Sequence, residues 1–285
     1  MPSASNGSRE SEVSEFALFG PDQEVQVIAD PFPHFVIDGA LCRERFDKLC
    51  HRLPSDDWLA GPQYKGPNRY HRRSAAELLG PECPHLSDAW KRFIDFHISA
   101  TFFDLCRATF ESHLTQANDV VRNMTGRHLN EIRPAMRYKN GCESAPALME
   151  CQISHVTPAD KPASPLGPHV DRELTLWAGL YYLQGCGNDE GGNLVFYRWR
   201  DPDRREYWRD QMIPPSLVEP VKTIEAKPNR LVMFLHGPDA VHGVTARRPG
   251  NGPRQSVNLV CEFPFKVWSI EPWRKNLDQF PGLND

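Results

Sequence analysis

The chain has 285 residues, 40% hydrophobic and 25% charged, which is enough apolar content for a buried core and excludes a disordered or collagen-like chain. Lys plus Arg number 33 against 37 Asp plus Glu, a net charge of −4, which argues against a general nucleic-acid or membrane-surface role. There are 26 prolines, well above the average of about 5%; they disfavour a helical bundle and suit short strands joined by long loops.

In chain order, residues 1–15 are polar and read as a mobile tail. Phe35-Val36-Ile37 forms a short strand, and the apolar spacing from Leu41 to Leu53 predicts a helix. Residues 54–84 carry Pro, Gly and charge without periodicity and read as one long loop. Its Trp58, Tyr64, Lys65, Asn68, Arg69, Tyr70, His71, Arg72 and Arg73 include a cluster of Arg, Tyr and His suited to an anionic or sugar-like ligand, or simply to solvent. Ser87 to Leu114 keeps a 3–4 apolar spacing through Trp90, Phe93, Ile94, Ile98, Phe102, Leu105, Cys106 and Phe110, with Ser87 as N-cap, and predicts one long helix. A shorter helix is expected over 118–124.

From residue 131 the pattern changes to strands, at 131–138, 149–156, 174–183, 193–199, 218–225, 230–236, 240–245 and 256–264. Helices followed by about eight strands predict a mainly β domain, a closed or two-sheet architecture with N-terminal helices packed on one side. The eight cysteines show no CxxC spacing. They read as reduced thiols, with Cys106 and Cys261 as small buried hydrophobes. No signal-peptide pattern or apolar run long enough to span a bilayer occurs, so a cytoplasmic protein is expected.

Of the eleven histidines, one group stands out. His169 and Asp171 stand two apart in an extended segment, so both side chains project to one face. His242 follows in a strand beyond the turn after Asn229–Leu235. Two imidazoles and one carboxylate make the facial set of non-haem iron enzymes, which leaves positions open for a cosubstrate and O2. His236 and His155 are rival ligands. Arg254 and Ser256 share a face in the same way, and a guanidinium beside a hydroxyl matches a carboxylate in geometry and charge.

His169-X-Asp171, His242 and Arg254-X-Ser256, in that order and spacing, resemble the Fe(II)/2-oxoglutarate-dependent oxygenases. The resemblance covers roughly residues 130–264 and extends to Met136-Arg137-Tyr138, Gly191–Phe196 and His242-Gly243-Val244. Pro33–Asp38 resembles the opening of prolyl-hydroxylase-like members. That branch usually carries Lys where Arg254 stands, whereas Arg-X-Ser is more typical of the isopenicillin-N-synthase-like branch.

The resemblance implies a double-stranded β-helix, jelly-roll and cupin-like, in a single domain over 16–285: helical support in 16–130, the core in 131–264 and a C-terminal extension in 265–285. It implies Fe(II) held by His169, Asp171 and His242, and 2-oxoglutarate held at its far carboxylate by Arg254 and Ser256. Tyr138 and Gln152 are further cosubstrate candidates, and Ser154 a pocket candidate. The implied reaction oxidises a C–H bond with O2, releasing succinate and CO2; Asp171, absent from the related halogenases, points to hydroxylation or a kindred oxidation. The expected substrate is a small molecule, a sugar, or a carrier-linked, natural-product or peptide group, with no nucleic-acid partner and a homodimer compatible with the long helix. Two other readings stay open: an iron oxidase of the same fold that uses no 2-oxoglutarate, and a non-catalytic jelly-roll binding or sensor module.

Overall fold

The computed structural model describes residues 14–274 apart from 62–65, 84, 140–141, 163–165, 185–190, 209–210 and 251. Most of the tail expected over 1–15 lies outside the described residues, as does the C-terminal extension beyond Arg274. Phe16, Leu18 and Phe19 are already buried, so packing begins where the tail was expected to end.

The molecule is mostly β-sheet with some helices. A large sheet has the order β1 (His34–Asp38), β8 (Arg230–Leu235), β5 (Thr175–Gln184), β10 (Arg254–Glu262), β4 (Leu148–Val156), β2 (Tyr70–Arg73), with β3 (Ala135–Met136) parallel to β4. A small antiparallel sheet holds β7 (Val218–Ile224), β6 (Leu194–Trp199) and β9 (His242–Val244). Beside β9, His169 forms a bridge to His242 and another to Met212.

The period-two alternation of each strand in the large sheet separates two cores. Cys151, Ile153, Trp177, Tyr181, Met233, Val257, Leu259 and Cys261 point to one side and pack with Trp90, Phe93, Ile94, Phe102, Phe103 and Cys106 of the helices. Ala178, Tyr182, Val232 and Phe234 point to the other side, toward Leu194, Phe196 and Ile224 of the small sheet. The helices therefore cover one face, as expected, and the two sheets enclose the other.

Three expectations need correction. The predicted helix over Ser87–Leu114 is two helices, α4 (Asp88–His97) and α5 (Ala100–Thr109). Ser99 breaks them: its hydroxyl accepts from Phe102 N–H at 3.2 Å and donates to Phe96 O at 2.6 Å, so it ends one helix and starts the next. The apolar spacing continues across the break because both helices cover the same sheet.

The 54–84 loop contains α2 (Asp56–Ala60), β2 and α3 (Ala75–Leu79). Ser74 and Glu77 close a capping box at α3, and β2 is held by pairing Tyr70–Arg73 against β4 rather than by any apolar pattern of its own. The strand expected over 131–138 shrinks to Ala135–Met136, and Tyr138 follows it in a turn with φ 62°. The helices expected in 41–53 and 118–124 are α1 (Arg43–His51) and α6 (Thr115–Thr125).

Candidate metal centre and anion seat

His169, Asp171 and His242 each present one ligand atom, and these atoms lie within 4.8 Å of one another. Their placement follows from the backbone. The N–H of His169 donates to His242 O and the N–H of His242 to His169 O, both at 2.9 Å, so the two imidazoles stand side by side with centroids 4.3 Å apart. Asp171, two residues on, returns its carboxylate to the same side.

The ring nitrogens away from the site fix the chemistry. His169 Nδ1 is 2.9 Å from Gly167 O, and His242 Nδ1 is 2.9 Å from Ala240 O. A carbonyl can only accept, so each Nδ1 carries the proton and each Nε2 keeps a bare lone pair. Both lone pairs face Asp171 Oδ1, at 3.6 Å from His169 and 3.8 Å from His242. Three acceptors converge with no proton among them, an arrangement that a cation resolves. Two imidazoles and one carboxylate suit a divalent transition ion better than Ca2+ or Mg2+, which prefer all-oxygen sets. Burial above all pushes His242 down to about 3, so it is neutral and ready to ligate at physiological pH. Burial works against ionisation of Asp171, but the neighbouring histidines, His236 foremost, outweigh it and hold the carboxyl well below its usual range.

The two rival histidines are placed apart from this role. His155 lies on the helix-covered side of β4, 3.8 Å from Asp56. The His236 side chain is fully buried, with Nε2 3.4 Å from Asp171 Oδ2, the other oxygen of the carboxylate. Neither ring nitrogen of His236 has a hydrogen-bond partner among the described residues.

On the inner face of the large sheet, registers place Arg254, Ser256 and Asn258 of β10 opposite Val156, Ser154 and Gln152 of β4. Half of that face is thus polar, whereas β5 and β8 line it with Ala178, Tyr182, Val232 and Phe234. Arg254 is 7% exposed, its guanidinium stands 5.4 Å from the Tyr182 ring, and no carboxylate approaches within 4 Å of it among the described residues. A buried, unpaired cation calls for an anion. Gly192 makes room for it: φ is +69°, and a Cβ there would lie 2.9 Å from Arg254 Nη1.

Gln152 Oε1 and Asn258 Oδ1 are buried without partners, so hydrogen-bonding capacity remains beside the seat. Tyr70 Oη ties this row together, 3.4 Å from Ser154 Oγ and 3.3 Å from Asn258 Nδ2. Sequence reasoning passed over Asn258, although it continues the alternation of Arg254 and Ser256. Tyr138 is 59% exposed, beneath the Arg137 guanidinium at 4.6 Å. Tyr138 and Gln152 line a cavity of about 1140 Å³ that reaches Asp171, whereas Arg254 and Ser256 do not line it.

The sequence matches no protein-family model and no curated protein. Among solved structures, the fold is similar to a prolyl-4-hydroxylase from Pseudomonas putida (12% identity, TM-score 0.42, covering 81% of this chain and 92% of that one). It is also similar to a viral collagen prolyl hydroxylase from Paramecium Bursaria Chlorella virus-1, solved as a 2OG complex (12%, TM-score 0.39, 81% and 96%). A third is a bsmA homologue from Methylobium petroleophilum (11%, TM-score 0.43, 81% and 88%). The neighbours thus include prolyl hydroxylases, proteins of the kind the sequence resembles. At TM-scores below 0.5 these likenesses do not decide what this chain does; its own side chains do.

Proposed function

We infer that this chain is an Fe(II)- and 2-oxoglutarate-dependent oxygenase of double-stranded β-helix architecture, one catalytic domain that oxidises a C–H bond of a small or carrier-linked substrate. The observation that carries the reading is the convergence of two bare imidazole lone pairs on Asp171 Oδ1, beside two sheets whose inner face also buries an unpaired arginine.

His169, Asp171 and His242 would hold the metal, which with 2-oxoglutarate and O2 supplies the oxidising chemistry when bound. The chain's own contribution is orientation and dryness. Gly167 O and Ala240 O lock the two imidazoles in the ligating tautomer. Arg254 offers two parallel N–H donors, and Ser256 a hydroxyl on the same strand face, to the far carboxylate of 2-oxoglutarate. Gln152 and Tyr138 line the cavity that reaches Asp171 and would be further contacts for the cosubstrate. Phe234, whose ring stands 5.0 Å from His242, together with Val232, Ala178 and Phe196, walls the apolar half of the barrel and excludes water.

No helix among the described residues is long and apolar enough to cross a membrane.

Aerobic incubation with Fe(II) and 2-oxoglutarate tests the reading. Succinate release above the metal-free blank, abolished in Asp171→Ala, is the expected result. Equal release from Asp171→Ala contradicts it. Oxygen uptake without succinate would favour an iron oxidase in which Arg254 holds a substrate carboxylate instead.

A further inference from the structure

The cavity beside Asp171 is lined by four cations, Arg72, Arg137, Lys139 and Arg172, and four carboxylates, Glu77, Glu82, Asp171 and Glu262. This balance is only nominal. Glu262 is held by Arg172 at 2.6 Å and by Arg137 at 3.1 Å. Glu77 is held by Arg73, which lies outside the cavity, at 3.0 Å. Asp171 is the proposed metal ligand. Arg72, Lys139 and Glu82 remain, and no carboxylate, Glu82 included, lies within 4 Å of either cation among the described residues.

Arg72 is prepared for a ligand. It sits on β2 opposite Ser154, and its Nε donates to Tyr70 Oη. Its guanidinium also stands 4.8 Å from the Tyr70 ring. Tyr70 Oη is in turn fixed between Ser154 and Asn258. The inner edge of the guanidinium is thereby anchored, while its two terminal nitrogens have no partner among the described residues. Such a fork takes a carboxylate through two parallel bonds. At about 1140 Å³ the cavity exceeds the range of about 300–1,000 Å³ usual for small-molecule sites, so it admits more than a bare metabolite anion.

We propose that Arg72 is the specificity anchor of the substrate site, binding a carboxylate of the molecule to be oxidised and so aiming one of its C–H bonds toward the His169–Asp171–His242 centre. This inference rests on the oxygenase reading and names its substrate class: a carboxylate-bearing molecule of small-molecule or short acyl or peptidyl size. Lys139, at the rim, adds charge that draws anions in without fixing their orientation.

The test uses the full chain loaded anaerobically with Fe(II) and 2-oxoglutarate. N-acetyl amino acids, medium-chain fatty acids and aryl acetates are each compared with their primary amides. Binding is read as a perturbation of the visible metal-to-ligand band and as a calorimetric Kd. The expected result is that one or more carboxylates bind and their amides do not. Arg72→Gln should then raise the Kd about 10–100-fold, as for loss of a charge-assisted contact, with the band itself and the affinity for 2-oxoglutarate unchanged. Arg72→Lys, which keeps the charge without the fork, should fall between them. Tyr70→Phe, which frees Nε, should weaken binding in the same direction.

Amides binding as well as acids overturns the proposal. So does a panel in which no carboxylate binds, or an Arg72→Gln protein that binds like wild type. Absence of the band in the wild-type protein instead overturns the oxygenase reading itself.

Discussion

Replacing Gly192 with alanine should uncouple cosubstrate binding from folding. Two costs are separable in the structure. The backbone at φ +69° is left-handed, which costs an L residue about 1–2 kcal/mol. The new Cβ would also meet Arg254 Nη1 at 2.9 Å and Arg247 Cγ at 3.1 Å. Arg247 is fully buried and bonded to Thr157 O at 3.0 Å and Gly252 O at 3.3 Å, so it cannot give way. The Arg254 guanidinium must move instead. Displacing it forfeits a charge-assisted contact of about 1.5–3 kcal/mol, so the affinity for 2-oxoglutarate should fall about 10–100-fold.

Gly39 supplies the control. Its φ is +63°, yet nothing lies within 4 Å of where a Cβ would stand. Gly39→Ala should therefore lower the melting temperature by a similar few degrees, about 2–4 °C per kcal/mol for a domain near this size, without changing the affinity for 2-oxoglutarate. Anaerobic titration of the visible band and thermal melts of both variants measure the two effects. Unchanged affinity in Gly192→Ala, or an equal loss in Gly39→Ala, would refute the placement of the cosubstrate carboxylate at Arg254.

His97 should make the fold acid-sensitive. It is fully buried, with Nδ1 2.7 Å from Phe93 O, and burial lowers its pKa to about 3. The unfolded chain takes up this proton near pH 6.5, so stability present above that pH is lost as pH falls from 6.5 toward 3. Between pH 7 and pH 5 the loss is about 2 kcal/mol, and His97→Phe should remove that part of the slope in denaturant titrations; an unaltered slope contradicts it. Ser99→Ala removes the cap joining α4 to α5 and should cost about 1 kcal/mol in chemical denaturation. His236→Leu takes a ring from 3.4 Å beside Asp171 Oδ2 and should weaken Fe(II) binding about 10–100-fold in competition with a chelator, with His236→Gln retaining more; metal affinity equal to wild type would remove His236 from any part in orienting the carboxylate.

The centre was legible in the sequence because it rests on local geometry. Two-residue alternation alone puts His169 beside Asp171 and Arg254 beside Ser256, and each pair lies in an extended segment that its neighbours leave no other option. What escaped was set by contacts distant in sequence. β2 pairs with β4 across more than eighty residues, and its Tyr-His-Arg-Arg run has no apolar face to announce a strand. The same pairing carries Arg72 to the cavity beside Asp171, so the polar loop of the sequence becomes one wall of that cavity. The break at Ser99 was hidden for the opposite reason: the hydrophobic period runs through it, and only the serine's two bonds to Phe96 and Phe102 mark the change of axis. The role of His236 depends on the rotamer of Asp171, which no spacing encodes.

The central claim is that His169, Asp171 and His242 hold iron while the barrel seats 2-oxoglutarate. Anaerobic addition of Fe(II) and then 2-oxoglutarate to the full chain tests both halves in one spectrum. A visible metal-to-ligand charge-transfer band should appear only when both are present, should vanish in His242→Ala, and should require higher 2-oxoglutarate in Arg254→Gln. No band in the wild-type protein, or a full band in His242→Ala, would contradict it.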